Sequence, residues 1–224
     1  LQTKTLQIHP TATSNHLLIS NSLINTTKMK YTTAVASLLA AAAAAPTAIQ
    51  PVARQAENSP YFGVIAQRSA SPIHFQPMNA RGGRFYLGGK GPSSYCPEEV
   101  VGPENCPAGN VTTFAGGNQT LSLGVVVPGG QQVYVAPDGA LSYTQAHSAY
   151  IPPGSTVTGF SRTKAPNSDA FGYLNWEKGF IACPGAAEDG WQVYGNIANG
   201  TFSNDCLGFS AIASPGNAPG AWQY

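Results

Sequence analysis

The stretch QQVYVAPDGALSYT, residues 131–144, reads as a β-hairpin. Val133 and Val135 alternate with Tyr134. Pro137-Asp138-Gly139 then supplies turn chemistry, because proline presets φ and glycine accepts a positive φ, and Leu141 to Thr144 resume the alternation. The same scheme recurs outward in both directions. Toward the C-terminus, Phe171 to Trp176, Glu177-Lys178-Gly179 and Phe180 to Cys183 repeat it. Toward the N-terminus, Ile73, Phe75 and Pro77 alternate with His74 and Gln76, and Asn79 to Gly83 reads as a turn into Arg84 to Leu87. Short apolar runs rich in β-branched and aromatic residues, separated by Gly, Pro, Asn and Asp, define an all-β chain. About a dozen strand candidates follow, at 61–68, 72–77, 84–88, 111–115, 120–127, 131–136, 140–146, 155–161, 171–176, 179–183, 191–197 and 207–213. That number fits a single compact domain over 60–224, either β-trefoil-like or a two-sheet sandwich, since pairing order is not readable from one sequence. The glycine- and proline-rich segment 88–110 reads as a long loop.

Upstream of the domain the sequence changes character. Residues 29–45, MKYTTAVASLLAAAAAA, read as a secretory signal peptide: Lys30 follows Met29, an apolar run extends to Ala45, and small residues supply a cleavage pattern near Ala43 or Ala44. The run is well short of the ~20 residues a membrane span needs. Residues 1–28 are polar, lack Asp and Glu and show no apolar periodicity, so they read as a leader that is not part of the working protein. Residues 46–59 read as an extended N-terminal arm. The reading is of an exported chain. The C-terminal residues lack a hydrophobic stretch, which argues against a lipid anchor.

Composition narrows the function classes. The chain of 224 residues holds 25 Gly and 18 Pro, so turns are dense, and only 9% of its residues are charged against the ~25% usual in soluble domains. Three of the 11 basic residues, Lys4, Lys28 and Lys30, precede the expected cut, which leaves 8 basic against 10 acidic residues and a net charge of −2. That balance gives no footprint for nucleic acid or an anionic membrane. On an oxidising route, Cys96, Cys106, Cys183 and Cys206 are expected as two disulfides. Of the three pairings, short local loops favour Cys96 with Cys106 and Cys183 with Cys206. Their spacings do not match a zinc pattern. Sequons at Asn110, Asn118 and Asn199 are expected to carry glycans.

Catalytic patterns are missing. Gly208-Phe209-Ser210-Ala211-Ile212 lacks the closing glycine of a nucleophile elbow. Gly83 and Gly88 have phosphate-loop separation, but Lys90 falls one residue late and the residues between are strand-like. His74 and His147 are the two histidines beyond the signal, and Asp138, Glu177, Glu188, Asp189 and Asp205 are the carboxylates that a glycosidase pair would have to draw on. Asp138 and Glu177 lie in expected hairpin turns. Neither those acids nor the doublet Glu98-Glu99 follow a calcium-loop layout. No catalytic residue, metal ligand or cofactor is expected. Trp176, Trp191 and Trp222 are the candidates for stacking on sugar rings, with Trp222, near the end of the sequence, expected to be the most exposed; aromatics at alternate strand positions are otherwise core.

The order Tyr61-Phe62-Gly63-Val64-Ile65-Ala66, Ser71-Pro72-Ile73-His74, Gly129-Gly130-Gln131-Gln132-Val133-Tyr134, Ile181-Ala182-Cys183-Pro184 and Asp205-Cys206 resembles the fungal PhiA-type cell wall proteins, a group that includes IgE-binding antigens. The resemblance covers about 61–209. It implies a small secreted glycoprotein of the mould wall, antigenic, concerned with phialide and conidium formation, with wall polysaccharide or other wall proteins as partners and with no catalytic residues. The C-terminal order is also loosely similar to the four-cysteine domain of Pir-type wall proteins. The Gln-bearing repeats by which those proteins join glucan are not present in this chain.

Overall fold

The computed structural model describes residues 59–165 and 168–224, the backbone alone at 164, 165 and 168–170. The expected leader and signal peptide, and all of the expected arm except Ser59, lie outside the described residues. Within them the chain is almost entirely β. Eleven strands appear: β1 (Tyr61–Gln67), β2 (Met78–Arg81), β3 (Arg84–Leu87), β4 (Phe114–Leu123), β5 (Val133–Val135), β6 (Leu141–Tyr143), β7 (Phe160–Ala165), β8 (Ser168–Trp176), β9 (Phe180–Pro184), β10 (Trp191–Gly195) and β11 (Leu207–Pro215).

The pairing order forms one antiparallel sheet curled on itself. β1 pairs with β4, β4 with β7, β7 with β8, β8 with β11, and β11 back with β1, which closes a five-strand circuit. β11 is long enough to serve twice. Its Ala211–Ala213 stretch pairs β8, whereas Leu207–Phe209 pairs β9, and the sheet runs on through β10, β3, β6 and β5. A bridge between Ser122 and Gln132 ties β5 back to β4. Strand alternation then decides what lies inside. Phe62, Val64 and Ala66 of β1 are buried, as are Ala211 and Ala213 of β11 and Leu174 and Trp176 of β8. Phe62, Phe114 and Phe85 form a chain of rings with centroids 5.8 and 5.4 Å apart, and Tyr143 meets Phe85 edge-on at 5.3 Å. Each such ring removes enough apolar surface from water to contribute about 1.5–3 kcal/mol.

Several strand boundaries differ from expectation; the candidate 155–161 is strand only from Phe160, where β7 begins to pair with β8, and the candidate 171–176 begins earlier, at Ser168. The stretch 72–77 is a turn rather than a strand, with Ile73 plugged into the core at 0% exposure, and the hairpin begins at Met78. Gly82 and Gly83, both at positive φ (55° and 77°), make a two-residue turn between Arg81 and Arg84. Two left-handed residues match the twist of the flanking strands. The candidates 111–115 and 120–127 merge into the single strand β4, bent where Gly116, Gly117 and Gln119 take positive φ.

Both disulfides are the local ones. Cys96–Cys106 spans 10 residues and Cys183–Cys206 spans 23, with Cα separations of 5.9 and 4.2 Å. The first pins the long loop, which carries a one-turn helix α1 (Glu98–Val101) and a 3-10 turn at Pro103–Asn105. The end of the chain is built into the fold. Gln131, 1% exposed, donates through Nε2 to the carbonyls of Thr144 (2.9 Å) and Tyr224 (2.8 Å) and accepts from the Tyr224 amide (2.8 Å). The buried amide is satisfied by these three bonds, and residues 221–224 are held as a strap.

Candidate functional site

The outer surface of β3, β5 and β6 carries a cavity of about 390 Å³. Its position follows from register. Arg84 faces Ser142 and Ser142 faces Tyr134, and residues directly opposite in a sheet project to one side. Phe85, Leu141 and Tyr143 take the opposite, inward side. The turn glycines 82 and 83 form one wall, while Thr144, Gln145, Ser148 and Tyr150 of the segment after β6 form the other. Tyr150 stands 70% exposed at the rim.

One charge reaches this cavity. The Arg84 guanidinium is 3.6 Å from Asp138 Oδ2, and Asp138 Oδ1 also accepts the Ala140 amide at 3.0 Å, so the acid serves the β5–β6 turn. No carboxylate and no histidine lines the cavity among the described residues. Beside it, burial pushes the Tyr194 hydroxyl above its ordinary pKa, opposed by Arg84. Arg81 is committed elsewhere: it lies 4.4 Å over the Tyr86 ring and donates to the carbonyl of Asp189 at 2.7 Å. The cavity therefore offers phenol rings, hydroxyls, an amide and one partly compensated cation. Such a set suits an uncharged polar ligand held by stacking and hydrogen bonds.

The remaining candidates are scattered. Glu188 pairs with Lys90 at 2.9 Å, and that hydrogen bond holds its carboxyl below the usual range. Asp189 pairs with Arg81 at 3.5 Å. Glu177 occupies the β8–β9 turn at φ 23°, and Asp205 is exposed beside Cys206. His74 accepts the Arg68 amide through Nδ1 at 3.3 Å and stacks on Phe75, while His147 lies in an exposed loop at φ 61°. Among the described residues no group of three or more His, Cys, Asp or Glu is placed to hold a metal ion, and no helix is long and apolar enough to cross a membrane.

None of the three tryptophans stands fully exposed. Trp176 is 2% exposed, its Nε1 donates to the Thr158 carbonyl at 3.1 Å and its ring packs against Phe160, so neither face is open. Trp191 is half-buried against the core. Trp222 is also half-buried, and its carbonyl accepts from Val126 and Val127, so it does not sit on a free tail. Tyr134, Tyr150 and Arg84, which carry no motif in the sequence, are residues that the fold brings together at the cavity. The sequon residues Asn110, Asn118 and Asn199 are all exposed.

Comparison with known proteins agrees with the secreted reading. The family model described as PhiA-like secreted protein matches residues 62–224. An uncharacterized secreted protein of Arthroderma benhamiae is 46% identical over 156 residues, 66% of this chain and 77% of that one. The cell wall protein phiA of Aspergillus fumigatus is 25% identical over 193 residues, covering 85% of this chain and 98% of its own. That of Aspergillus niger is 26% identical over 185 residues, covering 81% and 94%. No solved structure matches.

Proposed function

Because the chain belongs to the PhiA-like secreted protein family, we propose that it is a non-enzymatic structural and surface glycoprotein of the fungal cell wall, with a part in phialide and conidium development and an antigenic exterior. The observation that carries the non-enzymatic reading is the cavity wall itself. Hydrolysis of a glycosidic bond ordinarily needs two carboxylates about 5–10 Å apart on either side of it. The cavity is lined by phenols, hydroxyls and Arg84, and the nearby acid Asp138 is engaged by Arg84 and the Ala140 amide. Processing near Ala44 and glycans on Asn110, Asn118 and Asn199 complete the proposal, and the exposure of all three asparagines supports them.

Fractionation of a culture tests the location, and incubation of purified protein with wall glucan and chitin tests the chemistry. The protein is expected in the wall fraction, and no reducing ends are expected to appear. Recovery from the medium alone overturns the wall role. Polysaccharide cleavage that disappears in Asp138→Ala or Glu177→Ala overturns the non-enzymatic role. A second reading, a soluble carbohydrate-binding protein, is favoured by Tyr134 and Tyr150 at the cavity. Loss of soluble oligosaccharide binding in Tyr150→Ala, for a protein found only in the medium, would select it.

A further inference from the structure

The five-strand circuit has an outer face of its own, away from the cavity. Trp176, Leu174 and Gly172 of β8 point inward, so Phe171 and Tyr173 point outward, 50% and 40% exposed. Register continues the surface sideways: Tyr173 faces Ile212, and Ile212 faces Ile65. Thr163 flanks Tyr173 on one side and Pro77 flanks Ile65 on the other. Four inter-strand steps of about 4.8 Å make this a row roughly 19 Å long. The neighbouring outward row holds Asn175 and Ser210, small polar groups about 7 Å along the strands.

From this arrangement we infer that the outer face of β7, β8, β11 and β1 docks an uncharged, hydroxyl-rich wall polysaccharide, a proposal that rests on the wall reading and adds a ligand class to it. Charge is the first argument. Among the described side chains the row itself holds no ionised group: the Arg162 guanidinium is turned inward over the Phe62 ring at 4.3 Å, while the exposed Arg68, beyond the end of β1, donates to the Gly208 carbonyl at 2.7 Å and the exposed Glu177 lies in the turn after β8. Among the described side chains of the row, an anionic or cationic polymer finds no counter-charge, whereas a neutral one desolvates no ion on docking there. Ring chemistry is the second argument. The C–H face of a pyranose is apolar and electropositive and fits the negative face of Phe171 or Tyr173, while its rim hydroxyls meet Asn175 and Ser210.

Other occupants fit less well. Each of β1, β4, β7, β8 and β11 has a neighbour on both sides in the circuit, so an added strand has no continuous edge to extend. A second copy needs about 800 Å² from each partner for a stable interface. Five positions across by the span of Phe171 to Asn175 gives only roughly 260 Å².

The test uses the mature secreted protein and the double variant Phe171→Ala/Tyr173→Ala, with thermal melting as the fold control. Both side chains are exposed, so the melting temperature is expected to stay within about 2 °C. Depletion from solution is measured on particulate β-glucan, on chitin and on an anionic polyuronate. The wild type is expected to bind one or both neutral polymers, with little change between low and high salt, and the double variant to lose on the order of tenfold in affinity. The proposal is overturned by equal binding of both proteins, by preference for the polyuronate, by loss of binding in salt, or by no binding to either neutral polymer. A wild-type dimer that the double variant dissolves overturns it too, in favour of a second copy. Wall fractionation of the double variant separates the two ideas. Full wall retention with unchanged polymer binding removes the platform and leaves the wall role, whereas a wild type absent from the wall removes the wall role.

Discussion

Replacing Gly195 by Ala is expected to lower stability by about 2 kcal/mol, through one contact. A Cβ at this position would lie 2.6 Å from Trp176 Cζ3 and 2.7 Å from Cε3. Real Cβ atoms do not come that close, so either the indole or β10 must move. Both are held. Trp176 is buried against Phe160 with its Nε1 bonded to Thr158, and the Gly195 amide donates to Gly139 at 2.8 Å. Overpacking of this kind costs about 1–3 kcal/mol. In a domain of this size each kcal/mol moves the melting temperature by roughly 2–4 °C, so a fall of about 4–8 °C is expected. Gly63→Ala is the matched control. Its Cβ would meet nothing nearer than the Thr112 carbonyl at 4.0 Å, so the smaller entropy of the unfolded chain is expected to raise stability by about 0.4–1 kcal/mol. Combining Gly195→Ala with Trp176→Phe, which shortens the ring, should restore part of the loss, and the double-mutant cycle measures that coupling. A melting temperature for Gly195→Ala equal to the wild type, or a cycle with zero coupling, would refute the reasoning.

Two further outcomes follow from strain and from titration. Phe75 and Gln76 together oppose Ala66, whose amide donates to the Gln76 carbonyl (2.9 Å) and whose carbonyl accepts the Phe75 amide (2.8 Å), a bulge with Phe75 at φ 59° where glycine is usual. Phe75→Gly is therefore expected to raise stability by up to about 1 kcal/mol and Phe75→Ala to give no such gain, as thermal melting would show; a lower melting temperature for the glycine variant refutes the strain. The Tyr224 hydroxyl, pushed up to about 12 by burial, donates to the Val111 carbonyl. Its folded pKa lies above the unfolded value near 10, so this stabilisation, on the order of 3 kcal/mol, is complete below pH 10 and is lost as the pH rises through 12. Absorbance titration at 295 nm checks it. A Tyr224→Phe variant with an unchanged alkaline melting profile refutes the assignment.

The all-β class, the hairpin at 131–144 and the two disulfides were legible because each rests on local information: alternation, turn residues and loop length. What was not legible depends on partners far apart in sequence. Ile73 looks like a strand residue by its neighbours, yet it enters the core from a turn because the two-glycine hairpin starts five residues later. The double pairing of β11, with β9 along one half and β8 along the other, has no signature in its own nine residues. The placement of Tyr224 depends on Gln131, 93 residues away.

The aromatic residues of β8 divide by parity between core and surface. Treating alternate aromatics as core is sound for one face of a strand, but Phe171 and Tyr173 have the opposite parity to Trp176 within β8. Once the core takes Trp176 and Leu174, a single sheet wrapped round that core must turn Phe171 and Tyr173 to solvent. Parity therefore predicts an exposed aromatic pair from this strand alone. Which other outward residues stand beside the pair is a different matter, since Ile65 and Ile212 reach it through the β1–β11 and β8–β11 registers, and register over such separations is set by the closed sheet. The cavity has the same origin. Arg84, Tyr134 and Ser142 belong to three short strands, and their common outward direction follows from two cross-strand pairings rather than from any motif.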